Sequence, residues 1–417
     1  MPTVEEAFQI AVDHHQAGRL AEAEDIYGRI LAVAPERVEA IYNRGYAQQM
    51  QGKLVAAIAS YRALLEKAPD WAKAHVRLGE IMLWIGRVGT ALDHYETAVA
   101  LAPSDDTLRE PLNRALDIQA RRRPLLDTLH RGGKLDLRDV TFMVPCRIES
   151  PDRRRNLRIL VSYLRRYLDT NILICEDNPE RQDVPGLMTE LGLSPADYGY
   201  THLTGNDSPY THKAKQINIM AAAATTPILV VQDTDVVVEP TQYVFAQQAV
   251  HDGAAFSCPF NGLFFDISSK YIPSIERGLS VTQVDLLDPL NEMLYKNSYG
   301  GTVFFDRSVF DRLGGFNENF ISWGWEDFEI RKRLERLGER VERLWGPVLH
   351  LSHARATNSL RKNPWYAHNT VEYDRVIHMS RERILAEIAQ GGFRRPLVNA
   401  QAVPSCVEES APVPDQA

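Results

Sequence analysis

At 417 residues the chain is longer than one hydrophobic core usually organises, and it suits two or three domains. Its 44% apolar and 24% charged content fits a globular protein and excludes a fibrous or low-complexity chain. A formal net charge of -8 argues against a nucleic-acid partner, which needs a basic face. The 4 cysteines show no CxxC spacing, so reduced core thiols in a cytosolic protein are expected instead of a zinc cluster or a disulfide framework.

The opening MPTVEEAFQIAVDHH is acidic and amphipathic, with neither the basic nor the apolar region of a secretory signal. The longest apolar stretch, Ile217 to Val231, is broken by Thr225, Thr226 and Pro227, too short and interrupted to span a bilayer. No transmembrane segment is expected, and the cytoplasm, free or at a membrane surface, is the expected location. The arginine clusters 121–123 and 153–155 read first as solvated helix surface.

Residues 1–104 repeat with a period of 34: Gly18, Gly52 and Gly86, then Ala23, Ala57 and Ala91, then Tyr27, Tyr61 and Tyr95, then Pro35, Pro69 and Pro103. This pattern resembles the tetratricopeptide repeat, a helix–turn–helix unit that stacks into an all-α solenoid. Each Gly is expected to end a first helix in a left-handed turn, each Ala to allow close helix approach, and each Tyr to fill the gap between units. Repeat one is the weakest, with Ala11 where Gly is usual. Residues 105–138, helical in spacing to 130, are expected to cap the array and link onward. The array reads equally as a protein-binding surface or as a packing spacer.

From residue 139 strands and helices alternate, the opening of a parallel α/β sheet whose ligands sit at the carboxyl ends of strands. VTFMVPCR and NILICED read as strands, with RRRNLRILVSYLRRYL and HKAKQINIMAAAATT as helices. ILVVQDTDVVVEP then sets Asp233 and Asp235 at the end of a core strand. Strand alternation predicts that the pair points together into the crevice. Two such carboxylates repel unless a cation lies between them, so a divalent metal and a phosphorylated donor are expected. In SWGWEDFEIRKRL, Glu326, Asp327 and Glu329 crowd the start of a helix, which also suits the helix dipole. Trp323 and Trp325 beside them suit stacking on a sugar, next to a carboxylate able to accept a hydroxyl proton.

These stretches, together with SYGGTVFFDRSVFDRLGGFNENF, resemble the β-1,4-galactosyltransferase and chondroitin-synthase type of GT-A glycosyltransferase over roughly residues 139–370. The resemblance implies a Rossmann-like nucleotide-diphospho-sugar transferase domain, spanning 139–395, and a tail over 396–417 expected to be disordered. It implies a UDP-sugar donor and Mn²⁺ or Mg²⁺ held by Asp235, with Asp233 beside it. His353 ahead of His350 would complete the metal site, the two sharing one face of a strand, and imidazole beside carboxylate favours manganese. It implies Asp327 as the base of an inverting transfer, with Glu326 holding acceptor hydroxyls. Trp323 and Trp325 would face the acceptor, and Gly300 and Gly301 would lie close to the substrates. Arg147, Glu149 and Asp177 would hold uracil and ribose, with Arg153, Lys213 and Lys215 near the nucleotide. The acceptor would be a glycan or protein carrying the transferred hexose or N-acetylhexosamine. Trp325 stands where the motif carries a second Gly, and Phe328 where it carries Asp. The retaining polypeptide GalNAc-transferases share much of the pattern, and a scaffold with a degenerate sugar-binding domain is the non-enzymatic alternative.

Overall fold

The computed structural model of the protein describes residues 2–203, 208–322, 324–354 and 363–394. The expected tail, 396–417, lies outside them. Two compact units divide the chain: residues 1–127 with 285–293, and residues 128–284 with 294–417. No described helix is long and apolar enough to cross a membrane.

The first unit contains three antiparallel helix pairs: α1 (Val4–Gln16) with α2 (Leu20–Val33), α3 (Val38–Met50) with α4 (Leu54–Lys67), and α5 (Ala72–Trp84) with α6 (Val88–Leu101). Gly18, Gly52 and Gly86 have φ of 75°, 81° and 80°, the left-handed turn that ends each first helix. There the amide of the next residue closes on a carbonyl five positions back, as in Arg87 N–H to Met82 O at 2.8 Å. Tyr27, Tyr61 and Tyr95 and the three alanines are all buried. The tyrosine ring sets the helix spacing: a β-carbon at Gly79 would fall 2.6 Å from Tyr95, and one at Gly45 would fall 2.9 Å from Tyr61. In repeat one Ala11 occupies that position within a cluster of Ala23, Tyr27, Ile30 and Ala40. Helix α7 (Arg109–His130) follows, with Pro124 inside it.

The second unit begins with β1 (Leu135–Cys146), five residues before the sequence pattern turns apolar. Then come α8 (Pro151–Tyr167), β2 (Leu168–Glu176), α9 (Val184–Glu190), β3 (Gly199–His202), α10 (Lys213–Ala223), β4 (Ile228–Gln232) and β5 (Val236–Val237). After α11 (Pro240–His251) lie β6 (Phe256–Cys258), β7 (Phe264–Ile267), α12 (Ile272–Gly278), β8 (Glu292–Tyr295), β9 (Thr302–Asp306) and α13 (Arg307–Arg312). The remaining elements are α14 (Glu326–Leu337), β10 (Val341–Arg343), β11 (Val348–Leu351), α15 (Trp365–Ile377) and α16 (Arg381–Ala389).

Seven strands form one sheet in the order β10-β6-β9-β4-β1-β2-β3, and four form another, β5-β11-β7-β8. Strands β1 to β4 pair in parallel, as the alternating pattern predicts, while β9 runs antiparallel to both β4 and β6. The sheet is therefore mixed. Its buried centre is aromatic, with Phe142 edge-on to both Tyr243 and Phe304.

Candidate active site

The DTD segment is a turn between β4 and β5 and does not continue the strand, so alternation is not what orients its two carboxylates. The buried Gln232 shapes this turn, its Nε2 donating to Asp233 O at 3.0 Å and Val236 O at 2.9 Å. The register of β9 on β4 sets Thr302 opposite Gln232, and Asp233 N–H donates to Gly301 O at 2.7 Å. Both aspartates still line one cavity, but with different partners.

Asp235 belongs to a trio. Antiparallel pairing of β11 with β5 sets His350 opposite Val236, and donor atoms of Asp235, His350 and His353 lie within 4.8 Å of one another. His353 lies three positions beyond His350 and past the end of β11, so strand alternation does not relate the two histidines. Arg155 and Asn156 hold this exit by donating to Ser352 O at 2.9 Å and Leu351 O at 2.8 Å. His350 Nδ1 meets Asp266 Oδ1 at 2.8 Å, and His353 Nδ1 meets Ala354 O at 2.8 Å. Those acceptors engage each Nδ1, which turns both Nε2 atoms toward Asp235 Oδ2, at 3.7 Å and 3.0 Å. Burial opposes charge on His350, but hydrogen bonds to Asp235 and Asp266 outweigh it and raise the imidazole to about 9. Burial likewise opposes charge on Asp235, yet the hydrogen bonds from His350 and His353 hold it well below the usual carboxylate range. Two oriented imidazoles and a carboxylate fit a divalent transition metal such as manganese, whose binding would displace the extra proton of His350.

Asp233 lies outside this trio because an ammonium neutralises it. Lys213 Nζ is 3.0 Å from Asp233, 3.4 Å from Glu326 and 3.7 Å from Asp327. Burial works against that ammonium, but the three carboxylates raise its pKa well above the lysine range. Asp327 stands at the start of α14. Burial raises its carboxyl to about 7, Lys213 pulling it down while Glu326 and Asp233 push it up. Its Oδ1 is buried with no hydrogen-bond partner among the described residues. Its Oδ2 lies against Gly300, where a β-carbon would come within 2.1 Å. Gly301 follows with φ of 95°.

Two adjoining cavities receive these groups. The first, about 200 Å³, is lined by the metal-type trio, Asp233, Arg153, Glu149 and Arg147; the second, about 160 Å³, by Gly300, Gly301, Trp325, Asp327, Phe328 and Tyr366. Lys213, Asp233, Phe264, Tyr295 and Glu326 line both.

Other expected residues are placed differently. Arg147 directs its guanidinium at the carbonyls of Asp177, Ser208 and Tyr210, at 3.0, 3.0 and 3.3 Å, and so clamps loops in addition to lining the first cavity. Asp177 is fully buried, accepts from His212 N–H at 2.6 Å and lines neither cavity. Lys215 is exposed and lines neither, because residues two apart on a helix face different ways. Glu329 forms a fully buried ion pair with Arg333 at 2.6 Å and serves the packing of α14. Trp323 lies outside the described residues. Sequence reading missed Gln232, Asp266, Phe264 and Tyr295; Asp266 alone had a signal, a charge inside the apolar run GLFFDIS.

The fold and site define an array of helical repeats followed by an α/β unit with two adjoining cavities lined by charged groups. Residues 287–355 match a family model described as the N-terminal domain of galactosyltransferase, and residues 8–72 and 51–106 match the tetratricopeptide repeat. The former match includes Gly300, Gly301, Asp327 and both histidines, and stops short of Lys213 and the two aspartates of the turn. Among curated proteins, the Hsp70-Hsp90 organizing protein of Triticum aestivum is 34% identical over 96 residues, 23% of this chain and 16% of its own length. Among solved structures, MamA is 19% identical over 28% of this chain and 69% of its own, with a TM-score of 0.26. The first repeat domain of Spaghetti (RPAP3), bound to the HSP90 peptide SRMEEVD, is 19% identical over 28% of this chain and 93% of its own, with a TM-score of 0.27. The chain thus carries tetratricopeptide repeats ahead of a galactosyltransferase-like segment.

Proposed function

We propose that the α/β unit is a metal-dependent glycosyltransferase, moving a hexose or N-acetylhexosamine from a UDP-sugar to an acceptor hydroxyl with inversion. The observation that carries this reading is the adjacency of two unlike cavities. One has three metal-type donors within 4.8 Å, and the other has the unpartnered carboxylate oxygen of Asp327.

In this reading Asp235, His350 and His353 hold the ion, and Asp266 and the Ala354 carbonyl orient the imidazoles. When bound, a divalent ion neutralises the leaving diphosphate as a Lewis acid. Arg153, 4.0 Å from Asp235, adds positive charge for the same phosphates. Lys213 fixes the Oδ2 side of Asp327 and leaves Oδ1 to accept the proton of the attacking hydroxyl, while Gly300 leaves room for the carboxylate. Direct displacement by that hydroxyl inverts the anomeric carbon. The repeat unit serves as a protein-binding surface, a reading favoured by its 34% identity to a protein named for organising Hsp70 and Hsp90.

The test is UDP release from UDP-sugars with and without Mn²⁺. Release that needs the ion and disappears in Asp327→Asn supports the reading; ion-independent release, or an Asp327→Asn enzyme of full activity, overturns it.

A further inference from the structure

The walls of the second cavity say what kind of hydroxyl it accepts. Trp325 has φ of 73°, a left-handed conformation that suits glycine, yet this chain carries an indole there. The indole stacks on Tyr373 with centroids 4.8 Å apart and planes at 19°, and its Nε1 donates to Thr370 Oγ1 at 3.0 Å. Its polar atom is thus committed to α15. Phe328 meets Trp325 and Tyr299 edge-on, each at 6.0 Å. Phe264, Tyr295 and Tyr366 add three more rings to the lining, the two tyrosines each bringing one hydroxyl. Of the polar lining, the Asn297 amide oxygen and the Ser298 carbonyl already accept from Arg343, at 2.6 Å and 3.1 Å.

The charged groups of the lining form one cluster, in which Lys213 lies within 3.7 Å of Asp327, Asp233 and Glu326. A pyranose carries hydroxyls around its whole rim, and each one buried against hydrocarbon without a partner is costly. A phenol carries one hydroxyl on a flat apolar body and needs polar partners at one end only. Resting on the transferase reading above, we propose that the acceptor hydroxyl is phenolic, borne by an aromatic ring such as a tyrosyl side chain that lies against the wall formed by Trp325 and Phe328.

The chemistry balances with a UDP-sugar as donor. The phenolic oxygen bonds to the anomeric carbon and its proton passes to Asp327 Oδ1. The bond from that carbon to the diphosphate oxygen breaks, and UDP leaves with the electron pair. A carboxyl raised to about 7 is better matched to a phenol, whose pKa is about 10, than to a far less acidic alcohol.

The experiment uses the full chain with Mn²⁺ and UDP-linked galactose, glucose, N-acetylglucosamine and N-acetylgalactosamine. N-acetyltyrosinamide competes with methyl β-glucoside and methyl N-acetyl-β-glucosaminide, and products are read by mass spectrometry. The tyrosyl acceptor is expected to win by about tenfold or more, the discrimination that one stranded hydroxyl produces. Phe328→Asp should reverse that preference, and Phe328→Leu, which keeps the wall apolar, should retain it; melting curves confirm that both variants fold. Equal or better transfer to the methyl glycosides overturns the phenolic acceptor while leaving the transferase standing. No UDP release from any donor, with or without acceptor, overturns the transferase reading and this inference with it.

Discussion

In the repeat unit the large groups sealed from water are uncharged: Tyr27, Tyr61 and Tyr95 repeat one packing solution three times. In the α/β unit the groups drawn largely out of water include charged ones, the side chains of Lys213, Asp235 and Asp327 being 16%, 15% and 18% exposed. In the former arrangement each ring fills the space beside a glycine or alanine. The latter crowds five carboxylates around one lysine and two imidazoles, so some group there carries its proton abnormally. Packing of the first kind stabilises a shape, whereas confined charge of the second kind is the usual mark of a site that awaits a ligand.

That contrast can be broken most sharply at Asp327. Replacing it with Asn should lower sugar-transfer turnover by about 10²- to 10⁴-fold, the usual contribution of a general base, as read by UDP release. Turnover of the parent enzyme should rise with pH through about 7, because the base works only when ionised. Stability should move oppositely. The folded carboxyl sits above its ordinary value of 3.8, so the folded state holds the proton longer than the unfolded chain does. Its stabilising contribution is complete below that value and is lost as pH rises through about 7. In Asp327→Asn this part of the slope should vanish from urea melts taken at different pH.

On the packing side, Tyr61→Ala empties a fully buried site and should cost about 3–5 kcal/mol of repeat-unit stability by denaturant titration. A small effect there would mean that the ring is not what spaces the helices. Asp266→Asn tests the metal-type trio without touching it: Mn²⁺ affinity, read by thermal shift, should fall about 10- to 100-fold as His350 loses its orienting partner. The smallest effect is expected at Gly86→Ala, where a β-carbon in the left-handed turn should cost about 1–2 kcal/mol and leave Mn²⁺ affinity unchanged.

The same contrast explains what could be read in advance. The glycine turns and the buried tyrosines follow from a repeat visible along the chain. Strands β1, β2 and β4 and helices α8 and α10 follow likewise from apolar patterning, while the short α9 and β3 between them do not. Asp327, Lys213 and the histidines could be named as residues, but their partnerships could not. Alternation along a strand predicted a facing pair at Asp233 and Asp235; the turn made by Gln232 separates them, giving one to Lys213 and the other to the histidines. The family resemblance implied Arg147 and Asp177 at the nucleotide. Arg147 lines the first cavity while donating to nearby carbonyls, whereas Asp177 accepts from a backbone amide and lines neither cavity.

What the sequence determined by itself was therefore the periodic unit and the chemical types at the crevice. Helix turns, and the packing of one helix on the next, depend on residues a few tens of positions apart or closer. Only tertiary structure decided who holds whom at the site. His350 meets Asp266 across 84 residues and His353 meets Asp235 across 118, and both contacts follow from where β11 enters its sheet beside β5 and β7. Strand register between distant segments is set by the whole core, and no local pattern encodes it.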